Sequence, residues 1–258
     1  MKFIYSLQSE WLKTKRSAAS WLCIIGGFFI PTIYLIAFLV KSKTITEDAP
    51  MGNVWEIHFV SLMQNMKAFL LPMGVIMASS LITQMEFKNN TWKQLHTTPQ
   101  SLPTIFLAKF SVIAIMTVKF FVFFSIGVIL SGLIPCLIIN GKLPEDPFPF
   151  LFFFKENFKV FILCLPIIAI QYLISLRFKN FLVPVGIGLI GLIGSMIGAA
   201  VWEYIYVSPY SYVFLDRMKN VDFFKGKIAI NLYQGALIYF VMLMSISYVM
   251  FYAKKEKG

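Results

Sequence analysis

The sequence predicts an all-α integral membrane protein with six transmembrane helices. Of its 258 residues, 58% are hydrophobic and only 14% are charged, and the mean hydropathy is +0.75. A soluble domain usually carries about 25% charged residues. The apolar residues come in runs long enough to cross a bilayer, which takes roughly 20 residues of helix. These runs lack the alternation of membrane barrel strands, so helices are the structure that satisfies the backbone in lipid.

Six apolar segments are predicted to span the membrane within a single domain, 1–258. They comprise residues 21–40, 59–83, 105–139, 158–176, 181–202 and 232–251. The second segment is short unless it includes residues before its most apolar part, and the third continues past Pro135. A longer loop, 203–231, follows the fifth span. Its aromatic residues are predicted to lie at the outer headgroups or to cap a pathway.

Basic residues are divided unequally between the two sides of the predicted membrane. The side with both termini carries 12 basic and three acidic residues, whereas the other carries nine of each. Because basic residues are retained on the cytoplasmic side, we expect both termini in the cytoplasm. The composition, rich in Lys, Asn, Ile and Phe, is compatible with a bacterium, so a bacterial inner membrane is the expected location. The net charge of +11 is therefore a topology signal. The basic residues form no single patch, so no nucleic acid partner is predicted.

The first 20 residues predict an amphipathic helix at the membrane surface. On a helical wheel one stripe is apolar and the opposite side, with Ser6 and Lys13, is polar or basic. Such a helix binds lipid headgroups through its basic side. A simple basic flank that only sets orientation is the alternative. The apolar stripe consists of Phe3, Ile4, Leu7 and Trp11.

A polar stretch, 86–99, separates the second and third spans and is longer than a turn requires. Asn90 is a residue type that favours the N-cap position of a helix. Trp92 and Leu95 lie three residues apart and share one helical face, so both could enter a pocket on a partner. The alternative is an amphipathic turn on the membrane, with Trp92 at the interface.

The sequence offers little that predicts catalysis. Its two histidines, His58 and His96, lie outside the predicted spans, and none of the common hydrolase, metalloprotease or phosphate-loop motifs occurs. The glycines at 186, 188 and 191 match a dinucleotide-binding pattern in letters. They lie inside a predicted membrane helix, however, where glycines serve close helix packing. No cofactor is predicted to bind this chain.

Two charged residues near the spans are candidates for a transport pathway. Lys119 lies ten residues beyond Lys109, about 15 Å further along a helix. An ammonium near the middle of a bilayer costs roughly 2.5–3.5 kcal/mol, so it should face protein or water. It could line a pathway, extend to the interface, or bond to Gln171 or a backbone carbonyl. Glu203, at the end of the fifth span, could form a salt bridge or line an exit.

The polar stretch resembles the cytoplasmic segment between spans two and three of ABC-2 type exporter permeases. That segment has a glutamate, a short helix of the form T-x-x-x-L, a threonine, a proline, and a lysine that opens the next span. The departure is Asn90, where the family often has glycine. The residues that match are Glu86, Thr91, Leu95, Thr97 or Thr98, Pro99 and Lys109. The region 209–212 resembles the lantibiotic-immunity type within this family.

The resemblance implies a six-span permease of the type V exporter kind, without catalytic activity of its own. Two ATPase subunits, which bind ATP and Mg²⁺, would drive two permease chains, either identical or sister copies. Residues of the polar stretch would couple the permease to the ATPase, namely Glu86, Asn90, Thr91, Trp92, Leu95 and Pro99. The cargo would be hydrophobic or amphipathic, with antimicrobial peptides as one candidate. An ion-gradient-driven transporter and a membrane-embedded enzyme remain alternatives.

Overall fold

The computed structural model describes residues 2–46, 52–88, 101–218 and 231–255. These parts are helical, with short turns between the helices. The helices are α1 (Lys2–Thr14), α2 (Ala18–Lys41), α3 (Val54–Ala68), α4 (Leu70–Lys88), α5 (Leu102–Pro135), α6 (Phe150–Arg177), α7 (Leu182–Val201), α8 (Tyr212–Met218) and α9 (Leu232–Lys255). A π-helical turn, Cys136–Asn140, continues α5, and a 3₁₀ turn, Ile205–Val207, precedes α8.

The predicted fold class is confirmed. Within the described ranges, five helices are long and apolar enough to cross a membrane, namely α2, α5 with its π-helical turn, α6, α7 and α9. The bent pair α3–α4 makes six if it counts as one span. The apolar part of α5 and its extension, Pro103–Asn140, runs over 38 residues, about 57 Å at 1.5 Å per residue. This exceeds a hydrocarbon core of roughly 30 Å, so part of α5 extends beyond it or α5 is strongly tilted.

The second predicted span, 59–83, is broken in the structure. Helices α3 and α4 meet at Phe69 with an angle of 58°. Pro72 explains the position of the break, because proline has no N–H and its ring clashes with the carbonyl four residues earlier. That carbonyl belongs to Ala68, the last residue of α3. The sequence analysis predicted a span here but not the break within it.

Helices α2 and α5 run side by side in the same direction and pack closely through glycines. A Cβ added at Gly27 would lie 3.1 Å from the carbonyl oxygen of Phe120, and one added at Gly127 would lie 2.9 Å from the Pro31 ring. Small residues allow such close backbone approach between membrane helices. The glycines thus fix the register of the first span against the third.

The segment that follows α7 folds into the bundle. Tyr210 is buried, and α8 packs against α3 and α6 with its first five residues buried. The expectation that the aromatic residues of this loop lie at the outer headgroups is wrong for Tyr210, Tyr212 and Phe214. Tyr204, at the end of α7, is exposed. The physical reason is a polar anchor on α8, described below, that the hydropathy pattern does not reveal.

Candidate coupling region and buried polar contacts

The predicted coupling segment joins two helices whose ends the structure describes. Glu86 lies in the last turn of α4, and α5 begins at Leu102 with Ser101 as its N-cap. Of the other predicted coupling residues, five lie outside the described residues: Asn90, Thr91, Trp92, Leu95 and Pro99. The structure therefore gives the attachment points of this segment, which share one end of the bundle, here called the α1 end.

The attachment points are tied to other helices at the α1 end. The side-chain amide of Gln84, one turn before the end of α4, donates a hydrogen bond to the carbonyl oxygen of Phe178 at 2.5 Å. Phe178 caps the C-terminus of α6, so this bond links α4 to the turn between α6 and α7. The Tyr172 hydroxyl donates to the carbonyl oxygen of Phe106 at 3.1 Å and links α6 to the first turns of α5.

Helix α1 is bound to α5 by a buried ion pair. The Lys109 ammonium lies 3.1 Å from Glu10 Oε2, and Lys13 lies 2.5 Å from Oε1. Lys109 is only 2% exposed. Burial alone raises the pKa of the Glu10 carboxyl, but Lys109 and Lys13 outweigh it and the pKa lies below its ordinary value. The carboxylate therefore stays charged near neutral pH and holds α1 in place.

The orientation of α1 differs from the sequence expectation. Phe3 and Ile4 are 40% and 58% exposed, whereas Leu7 and Trp11 are half-buried against the core. Ser6, expected on the outer side, is buried. Glu10, one turn later, determines this rotation, because its carboxylate must reach Lys109. The expected apolar stripe is thus divided between the protein and the exposed surface.

Lys119 lies beside the beginning of α2. Its ammonium is 2.5 Å from Ser20 Oγ and 5.8 Å from the centre of the Phe123 ring. Ser20 is the third residue of α2, so this ammonium lies level with the start of the first span. Of the alternatives considered for Lys119, the bond to Gln171 is wrong, and a pathway role stays a prediction. Glu203 is exposed beyond the last residue of α7.

Gln171 is the centre of a buried polar network. Its amide nitrogen donates to Ser80 Oγ at 2.8 Å and to the Pro184 carbonyl oxygen at 2.6 Å. Its amide oxygen accepts from the Tyr210 hydroxyl at 3.1 Å. The network joins α4, α6, α7 and the segment before α8. A Cβ on Gly188 would lie 2.7 Å from the Gln171 oxygen, so this glycine has the packing role predicted for it.

A second buried ion pair joins α3 to α8. The Lys67 ammonium lies 2.6 Å from Asp216 Oδ2, and both side chains are about 95% buried. The Tyr233 hydroxyl of α9 donates to Asp216 Oδ1 at 3.3 Å. This is the anchor that draws α8 into the bundle.

The two remaining features concern His58 and the search for a metal site. His58 lies one residue before the predicted second span and within α3, where it is buried and its Nε2 lies 2.9 Å from Ser131 Oγ. Among the described residues, no group of three or more His, Cys, Asp or Glu side chains is arranged to hold a metal ion.

Sequence reasoning missed the roles of Glu10, Lys67 and Asp216. Lys67 had a usable signal, because an ionisable residue inside an apolar run is a candidate for a buried partner. Its partner is 149 residues away, and no local pattern indicates such a pairing.

Comparison with known families fits this architecture. No curated protein matches the chain. The family model described as "ABC-2 family transporter protein" matches residues 6–195, which run from α1 to the last third of α7 and include the bent pair and the attachment points of the coupling segment. Since this match covers well over half of the sequence, the chain belongs to the ABC-2 family of transporter membrane proteins.

Proposed function

We propose that this chain is the permease subunit of an ATP-driven exporter, and that its segment 86–99 binds a separate ATPase. Membership of the ABC-2 family makes the chain a membrane component of an ABC transporter. Export, the coupling role of the segment and the composition of the complex are the proposal. The resemblance noted above supports two ATPase subunits and a second permease copy or sister chain.

The observation that carries the proposal is how firmly the ends of this segment are attached. One end continues α4, which Gln84 joins to the turn between α6 and α7. The other end begins α5, which Lys109 joins to α1. A displacement of the segment by a bound ATPase would therefore move several helices together. A loop that only reverses the chain needs no such attachments.

The bent pair gives this displacement a route into the membrane. Helix α4 is continuous from the coupling segment to the break at Phe69. A helix transmits motion along its axis, whereas a break absorbs a change of angle, as hinges at the ends of elements do. Movement of the ATPase would therefore change the angle between α3 and α4. ATP and Mg²⁺ would bind to the ATPase and not to this chain.

A groove between α5 and α6 supports a hydrophobic or amphipathic cargo. It has a volume of about 450 Å³ and is lined mainly by apolar side chains, including Phe121, Phe153 and Phe158. Its polar lining includes Asn157 and Ser125, and the Asn157 Nδ2 donates a hydrogen bond of 2.8 Å to Ser125 Oγ. This size and composition suit small amphipathic ligands or part of a larger one. The cargo we favour is antimicrobial peptides, which the exporter would remove from a bacterial inner membrane.

The test is co-purification of the permease with the ATPase encoded beside its gene. The double variant Trp92→Ala/Leu95→Ala should lose most bound ATPase and the hydrolysis stimulated by the permease, because two apolar anchors are removed from one face. The matched control is Trp202→Ala/Val201→Ala, which alters an exposed tryptophan and an exposed aliphatic residue at the opposite end of the bundle.

The outcomes separate the classes of function. Loss in the first variant and retention in the control support the proposal. Retention of ATPase binding and hydrolysis in both variants would show that the segment is not the coupling site. Transport driven by an ion gradient, with no ATPase bound, would instead identify a secondary transporter.

A further inference from the structure

The ion pair of Lys67 and Asp216 lies beside the break between α3 and α4 and involves the short helix α8. Lys67 is the second-last residue of α3, two residues before the break at Phe69. Asp216 belongs to α8, a helix of seven residues. Asp216 also lies beyond the residues that match the family model. The pair thus joins the bend to a short helix that the family match does not include.

Burial of this pair is not explained by stability alone. Taking two charges out of water costs several kcal/mol per ion, and their attraction in the interior often does no more than offset that cost. A well-packed apolar pair would stabilise the contact at least as well. What an ion pair offers beyond an apolar contact is dependence on geometry, because its attraction requires the distance of 2.6 Å between the ammonium and Oδ2.

Helix α8 depends on tertiary contacts for its position. Isolated helices shorter than about 12 residues are marginal in water, and α8 has seven. Its inward side chains, Tyr212, Val213 and Leu215, are buried against the bundle. A change in the angle between α3 and α4 moves the Lys67 side chain relative to α8, because Lys67 lies next to the break.

We propose that Lys67 and Asp216 form a latch that holds α8 in the bundle while α3 and α4 are bent, and that releases α8 when their angle changes during transport. The link to transport rests on the proposed function. The latch itself does not, since it concerns only contacts within this chain. Both residues are positioning residues and need not touch the cargo.

The test measures exposure of α8 through Leu215, which is 1% exposed. The three buried native cysteines, Cys23, Cys136 and Cys164, are replaced by alanine, and Leu215→Cys is introduced. The purified permease in lipid nanodiscs is treated with a water-soluble maleimide, which reaches both faces. Labelling should be slow with the native pair. Lys67→Met should accelerate it on the order of tenfold, because a hydrogen bond between charged groups is lost.

Three controls separate the latch from general damage to the fold. The reversed pair Lys67→Asp/Asp216→Lys should restore slow labelling. Ser131→Ala removes the other buried side-chain bond of α3, to His58, and should leave Leu215→Cys protected. A cysteine at Leu163, fully buried on α6, should stay unlabelled in every variant. Labelling of that cysteine with Lys67→Met would overturn the latch in favour of a purely structural role, as would unchanged labelling of Leu215→Cys.

A second arm uses the complex with the ATPase. Addition of ATP should accelerate labelling of Leu215→Cys with the native pair and have little further effect with Lys67→Met. If labelling of Leu215→Cys responds to Lys67→Met but not to ATP, in a complex that hydrolyses ATP, the role of the latch in transport is overturned. Failure of any ATPase to bind would overturn the proposed function, while the permease alone would still decide whether the latch exists.

Discussion

The two buried ion pairs found among the described residues differ in what surrounds them. Glu10 has two cationic partners, and one of them, Lys13, is 38% exposed at the surface of α1. Asp216 pairs with Lys67 inside the bundle, where both side chains are almost completely buried. The first pair attaches a peripheral helix near the polar segment 86–99, and the second attaches an inward-folded helix near a bend. Under the latch proposal, the first pair maintains an attachment and the second controls a movement.

The largest effect should come from breaking the deep pair on one side only. Lys67→Met removes the Lys67 ammonium from the buried Asp216 carboxylate and should lower the free energy of unfolding by about 3–5 kcal/mol. The double variant Lys67→Met/Asp216→Leu removes both charges and should lie within about 1 kcal/mol of the native protein, or above it. Thermal unfolding in detergent micelles measures both. Equal losses in the single and double variants would contradict the contrast between the two pairs.

A smaller effect is expected at α1. Glu10→Gln keeps the shape of the side chain but removes the carboxylate from Lys109, and it should weaken attachment of α1 by roughly 1–3 kcal/mol. Maleimide labelling of Ser6→Cys, a buried position on α1, reports this attachment in the cysteine-free background. The matched control is Lys13→Met, whose exposed pair should contribute about 0.5 kcal/mol or less. A control as damaging as Glu10→Gln would show that the buried pair is not the main attachment.

Lowering the pH should weaken the attachment of α1 gradually, through protonation of Glu10. The pKa of Glu10 in the folded protein is lowered from 4.5, so its carboxylate stabilises the fold fully above about that pH. This contribution is lost as the pH falls below 4.5 and through the lower folded value. Acid lowers the thiolate fraction of every cysteine, so the labelling rate of Ser6→Cys is divided by that of the exposed position Tyr5→Cys at the same pH. This ratio should change little between pH 7 and 5 and increase below 4.5. In Glu10→Gln this rise should disappear, and a rise of the same size there would assign it to another group.

Much of the architecture could be predicted because the bilayer constrains it so strongly. Long apolar runs must be helices, and this alone indicates the fold class. The break at Phe69 was also accessible in principle, since Pro72 forbids the hydrogen bond to Ala68. The roles of Glu10 and Asp216 were not, because each depends on a partner about 100 or more residues away. Helical periodicity contains information only about neighbours along the chain.

The sequence by itself determined that this chain is a multi-pass membrane protein and that it is helical, whereas a task for the polar stretch between α4 and α5 beyond turning the chain stays a prediction. Hydrophobicity and local spacing contain those facts. Only the tertiary structure decided that α1 is rotated so that Glu10 reaches Lys109, that Lys119 lies beside the start of α2, and that α8 folds inward to Lys67. Each of these depends on where a few charged groups find partners in a medium that penalises them severely when they are alone.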